Sequence, residues 1–85
     1  MSYFLYILQS QSADKFYTGS SDDAQRRLKF HNSIEKGFTA RYRPWVIVFT
    51  KEFPSKKLAQ AAERKIKSWK SRIMILKLIN GKVEI

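Results

Sequence analysis

Apolar and polar positions follow two different periods along this chain. Tyr3 to Leu8 (YFLYIL) is apolar at every position, so a strand here sets Tyr3, Leu5 and Ile7 on one face and Phe4, Tyr6 and Leu8 on the other. A strand with no polar face is one covered on both sides. Gln9 to Lys15 (QSQSADK) is polar and is expected to have no core role. Phe16 to Thr18 starts a return strand, which makes the pair a β-hairpin. Gly19 is expected to turn the backbone at its end. Ser20 or Ser21 then caps a helix reaching His31 or Asn32, with Asp22 and Asp23 at its positive end. Leu28 is the clearest inward residue of that helix, joined by Ala24 and Phe30.

Ser33 to Pro44 contains Gly37 and reads as a loop. Trp45 to Thr50 (WVIVFT) is the most β-prone run and is expected at the centre of the sheet. Phe53-Pro54-Ser55 introduces a helix capped by Ser55, whose Leu58, Ala62, Ile66, Trp69 and Ile73 step by three or four along one stripe. A break near Ser71 leaves a shorter helix from Arg72 to Ile79 with Asn80 as its cap, then a closing loop or edge segment to Ile85. The order β-β-α-β-α-α predicts an α+β fold, a small, mainly antiparallel three-stranded sheet flanked by helices.

Composition narrows the class. At 85 residues the chain is read as one domain spanning residues 1–85, near the lower limit for folding alone, with 44% hydrophobic residues for a small core. The sequence has no cysteine, which excludes disulfides and thiolate metal sites and agrees with a reducing cytoplasm. No apolar run is long enough for a membrane span, and no signal peptide is expected at the N-terminus. Seventeen Lys and Arg against seven acids give a formal charge of +10, which points to a polyanionic partner. Nucleic acid suits that charge better than a membrane surface, because no basic helix has a wide bulky apolar face beyond what a core needs.

Five side chains bear chemistry. Tyr6 and Tyr17 are expected to face each other across the hairpin, about 5 Å apart if directly opposed. A phenol titrates near ~10, so it serves as a base only where cations lower its pKa. Arg27 and His31 lie four positions apart, on one helix face. Arg27 offers a permanently charged fork for a phosphate, or alternatively a surface pair with Asp23. His31, the only histidine, offers a phosphate contact or a proton relay, or alternatively a helix-end dipole partner. Glu63 is the only acid between Ser55 and Arg72, and on residues alone a metal ligand and a helix pair with Lys67 are equally open. Trp45 and Trp69 are read as core.

A tyrosine in the first strand (Leu5-Tyr6-Ile7), Tyr17-Thr18-Gly19 closing the second, Arg27 and His31 on the next helix and Glu63 in Ala61-Ala62-Glu63-Arg64 together resemble the GIY-YIG nuclease domain, in particular its small single-domain members. The first motif departs from Gly-Ile-Tyr by lacking the glycine, and the second has threonine at its middle position. The resemblance implies a Mg²⁺-dependent (or Mn²⁺-dependent) endonuclease with one ion held by Glu63. It implies Tyr6 as the base and Tyr17 as its orienting partner, two roles that are exchangeable, with Arg27 and His31 assisting at the phosphate. Arg26, Arg41, Arg43, Lys67 and Lys70 are the expected backbone contacts, salt-sensitive and largely sequence-independent. DNA is the expected substrate, with a possible protein partner supplying specificity and no membrane role. A binding module without useful catalysis, and a basic adaptor docking a larger assembly, are the competing readings. A purely binding role needs neither Glu63 nor paired tyrosines.

Overall fold

The computed structural model describes residues 2–33 and 36–85. Its elements are β1 (Tyr3–Ser10), β2 (Phe16–Ser21), α1 (Ala24–Ser33), α2 (Phe38–Arg41), β3 (Trp45–Phe53), α3 (Lys56–Trp69) and α4 (Arg72–Ile79). The expected order holds, with the short α2 added inside the segment read as a loop. Residues 34 and 35 of that segment lie outside the described residues.

The sheet is antiparallel throughout, in the order β2-β1-β3. β1 is therefore the central strand, and its two apolar faces feed two separate cores. Leu5 and Ile7 pack with Ala62 and Ile66 of α3 and Leu78 of α4. Tyr6 and Leu8 pack on the opposite face with Trp45, and with Ala24 and Leu28 of α1. The facing read from the alternation of β1 is the facing observed.

β3, expected at the centre, is an edge strand. Its apolar half is still needed, because helices cover both faces of the sheet even at this edge. A register shift between Ile7 and Leu8 leaves Val48 as an extra residue in β3, so Val48 and Phe49 both serve the first core while Ile47 serves the second. Beyond the bulge, Thr50, Lys51 and Glu52 are exposed.

Helix ends follow local chemistry. Ser55 accepts the Leu58 amide, the cap the sequence places there, and Ser71, where the sequence places only a break, accepts the Met74 amide and caps α4. Between them Lys70 adopts a left-handed backbone, φ 47°, which ends α3 and redirects the chain into α4. The apolar stripe does not survive that change of direction. The buried residues of α3 are Ala59, Ala62 and Ile66, whereas Leu58 and Ile73 are exposed.

The cap of α1 differs from expectation. Asp23 accepts the Arg26 amide at 3.0 Å, while Ser21 accepts the Asp23 amide one step earlier. Phe30 points outward and His31 inward. Asn32 clamps the start of β3, accepting the Trp45 amide at 2.6 Å and donating to the Trp45 carbonyl at 3.0 Å. The Trp45 indole donates to the Thr39 carbonyl at 2.8 Å, which ties α2 to the same core. Ser10, in the stretch expected to lack a core role, is buried at the end of β1 and binds the Tyr42 carbonyl and the amides of Ser12 and Ala13. Among the described residues no helix is long and apolar enough to cross a membrane.

Candidate functional site

Strand register brings the first two candidates together. Tyr6 is paired with Gly19, and Tyr17 with Leu8. The tyrosines are thus diagonal neighbours on one face of the sheet and not directly opposed, with ring centroids 6.5 Å apart. Gly19 is correspondingly not a turn residue. It lies inside β2, and a Cβ built on it would stand 2.5 Å from the Tyr6 hydroxyl and 2.7 Å from its ring carbon Cζ. The missing side chain is the space that the Tyr6 phenol fills.

α1 packs on the same face and delivers two more candidates. His31 is buried, with Nε2 3.1 Å from the Tyr6 hydroxyl and its ring 4.6 Å from that of Tyr17. Its Nδ1 has no partner among the described residues. Arg27, one turn earlier, lays its guanidinium over the Phe30 ring at 4.4 Å and lies close enough to the Tyr6 hydroxyl to favour its ionised form. Asp23, its expected surface partner, is engaged in capping, and the ion pair of that turn is Arg26 with Asp22.

Glu63 arrives from the other side of the sheet, around the β2 edge. Ser20 faces away from Tyr6 in the alternation of β2 and donates to Glu63 Oε1 at 2.6 Å. Lys67, one turn further along α3, binds Oε2 at 2.6 Å and places its ammonium 5.8 Å from the centre of the Tyr17 ring. Glu63 lies close enough for its charge to act on the Tyr6 phenol. Ser20 was read only as a possible helix cap. Nothing in the local pattern marks it as a carboxylate ligand, since the contact depends on how α3 crosses the strand.

Electrostatics here are set by burial. Burial pushes the Tyr6 phenol above its ordinary value; the Arg27 hydrogen bond and charge pull it down, and Tyr17 and Glu63 push it up, for a net rise. Burial, reinforced by the Arg27 charge, lowers His31 to about 4. His31 is therefore a neutral imidazole at neutral pH. It addresses the tyrosine pair, with Nε2 on the Tyr6 hydroxyl and its ring against Tyr17.

A pH effect on stability follows. The folded His31 pKa lies below the unfolded value near 6.5, so the unfolded chain binds more protons between them. The contribution is full above pH ~6.5 and is lost as pH falls toward about 4, amounting to about 3 kcal/mol. Urea midpoints measured across that window should fall with acidification, and His31→Phe should flatten the dependence. A wild-type midpoint that is flat there would contradict burial of a neutral His31.

The remaining cations are dispersed. Arg26 is exposed and paired with Asp22, Lys67 is committed to Glu63, and Lys70 is exposed at the end of α3. Arg41 closes α2 and Arg43 follows it, both exposed. Thus Tyr6, Tyr17, Arg27, His31, Glu63 and Lys67 converge at the β2 edge, with Gly19 beneath Tyr6.

Mg²⁺ takes oxygen ligands and is commonly held by one or two carboxylates, with waters and substrate phosphates completing the shell. The half-buried Glu63 carboxylate fits that pattern, with Oε2 held only by a flexible lysine. Among the described residues no group of three or more His, Cys, Asp or Glu forms a fuller cage.

Comparison with known proteins agrees with this geometry. The GIY-YIG catalytic domain model matches residues 2–77. The UPF0213 protein SpyM50708 of Streptococcus pyogenes is 37% identical over 71 residues, covering 81% of this chain and 75% of that protein. The structure-specific endonuclease subunit SLX1 of Meyerozyma guilliermondii is 44% identical over 61 residues, covering 64% of this chain but 21% of that larger protein. The solution NMR structure of the UPF0213 protein BH0048 from Bacillus halodurans superposes with a TM-score of 0.60 at 35% identity, covering 96% of this chain and 86% of that one. A β-β-α-β-α-α chain whose Tyr6, Tyr17, Arg27, His31 and Glu63 meet at one strand edge, and which matches the family model along nearly its whole length, belongs to the GIY-YIG catalytic domain family.

Proposed function

We propose that this chain is a Mg²⁺-dependent endonuclease that hydrolyses phosphodiester bonds in DNA. The observation that carries the reading is the buried Tyr6 hydroxyl, 3.1 Å from His31 Nε2 and within electrostatic reach of Arg27 and Glu63. Membership of a nuclease family, and similarity to a structure-specific endonuclease subunit, support it.

Hydrolysis needs a deprotonated water and stabilisation of the charge that builds on the phosphate. The phenol oxygen lies 3.1 Å from His31 Nε2, and the neighbouring Arg27 charge favours its deprotonated form. Once deprotonated, the oxygen takes a proton from the attacking water, while the departing sugar oxygen leaves with the P–O bonding pair and is protonated from solvent. Tyr17, packed at a tilt against His31 and Tyr6, fixes both rings. The Arg27 fork also faces the developing phosphate charge. One Mg²⁺ or Mn²⁺ on Glu63 would cancel the negative charge that raises Tyr6 and stabilise the phosphate oxygens. Binding it requires Lys67 to give up Oε2, and a substrate phosphate gives that ammonium a new partner. Arg26, Arg41, Arg43 and Lys70 supply backbone contacts. A protein partner that confers specificity and a cytoplasmic setting belong to the same reading.

A binding module without hydrolysis is the second reading, and the raised Tyr6 phenol is the observation that favours it. The test is a panel of labelled single-stranded, duplex, flap and branched DNAs, incubated with Mg²⁺, Mn²⁺ or a chelator. Cutting that requires the metal supports the nuclease. Salt-sensitive binding with no cutting of any substrate favours the module. Absence of binding contradicts both.

A further inference from the structure

Two large apolar side chains stand in solvent beside the site. Phe38 is 50% exposed and Phe30 is 43% exposed. Phe38, on α2, has its ring 6.5 Å from Tyr17 and 5.0 Å from Tyr42. Phe30, on α1, has its ring 5.5 Å from His31, which in turn lies 4.6 Å from Tyr17. Phe30, His31, Tyr17, Phe38 and Tyr42 therefore form one continuous row of rings, buried in the middle at His31 and open at Phe30 and Phe38.

Cations lie along that row. Arg27 covers Phe30 at 4.4 Å, Lys67 stands 5.8 Å from the Tyr17 ring, and Lys15 stands 5.6 Å from the Tyr42 ring. Ring packing made only for the core would bury its members, yet these two phenyl groups remain accessible. Flat apolar faces interleaved with positive charge match one polymer well, a nucleic-acid strand whose bases are not paired. A duplex hides its base faces inside the stack and presents only phosphates, sugars and base edges.

We propose that Phe38 and Phe30 form a stacking platform for unpaired bases flanking the phosphate at Tyr6. This rests on the nuclease reading for which phosphate is cut, and it names the substrate class as a single strand or the unpaired part of a branched one. Stacking tolerates any base, because every base has a π face, so the platform selects strandedness and not sequence.

Binding without cleavage isolates the platform. The probe is a single strand of about 15 nucleotides carrying 2-aminopurine, compared with a duplex of the same length, both in chelator. Wild type should bind the single strand with a change in 2-aminopurine emission. Phe38→Ala should weaken that binding about tenfold and remove the emission change, with under about a twofold effect on duplex. Phe38→Leu keeps apolar bulk and should fail as Phe38→Ala does, while Phe38→Trp should retain binding. Equal losses on single strand and duplex, wild-type binding by Phe38→Leu, or no single-strand binding by the wild type would each overturn the platform. A wild type that shows the stacking signature but never cuts would sink the nuclease reading and leave the platform standing.

Discussion

Tyr6→Phe should lower single-turnover cleavage by about a hundredfold or more while leaving substrate affinity unchanged. Loss of a positioned general base typically costs a factor of ~10² to ~10⁴. Only one oxygen is removed, and that oxygen is the one bonded to His31 and nearest the Arg27 charge. The phenyl ring stays in its slot above Gly19, so the fold should survive with a cost of about 1 kcal/mol from the lost buried hydrogen bond. Binding depends on surface cations and exposed rings that the substitution leaves untouched. Cleavage within a few-fold of wild type would mean that water is activated elsewhere, with Tyr17 the next candidate. The equivalent Tyr17→Phe should be milder, because no side-chain hydrogen bond ties its hydroxyl to Arg27 or His31 among the described contacts.

Gly19→Ala should damage stability and cleavage together. The added methyl would meet two Tyr6 atoms, at 2.5 Å and 2.7 Å, and the ring is packed against Tyr17 and His31. Gly19 has no left-handed backbone, so the penalty is steric and not conformational. Overpacking of this kind costs about 1–3 kcal/mol, and displacement of the phenol should bring cleavage near the Tyr6→Phe level. A double-mutant cycle separates this from general damage to β2. In a Tyr6→Leu background the same glycine substitution should cost much less, because the obstructing hydroxyl and ring carbon are gone. Equal urea-midpoint losses in both backgrounds would contradict the account.

These residues show what a sequence conveys and where it stops. The two faces of β1, the cap at Ser55 and the break between α3 and α4 near Ser71 were legible, because each rests on periodicity or on a local hydrogen bond. Strand order was not. The run from Trp45 to Phe49 is as apolar as a central strand because helices cover both faces of the sheet, and hydrophobicity alone does not distinguish that from centrality. Register was also hidden. A register two residues further along the hairpin sets Gly19, and not Tyr17, opposite Tyr6, and this changes the glycine from a turn into a slot. The outward turn of Phe30 and inward turn of His31 followed from the start of α1 at the Asp23 cap, which sets the phase of the helix. The Glu63–Lys67 pair, four positions apart on α3, was one of the readings open in the sequence, whereas the Ser20–Glu63 contact joins residues far apart and only the crossing of α3 over β2 assembles it.

Glu63 is where the whole account can be tested in one comparison. Wild type and Glu63→Ala, purified identically, should be given the same labelled branched and single-stranded DNAs with Mg²⁺ or Mn²⁺, with binding measured in parallel. The account predicts metal-dependent cutting by the wild type that falls about a hundredfold or more in the variant while binding is retained. Cutting that is unchanged by Glu63→Ala, or that proceeds equally in chelator, would contradict it.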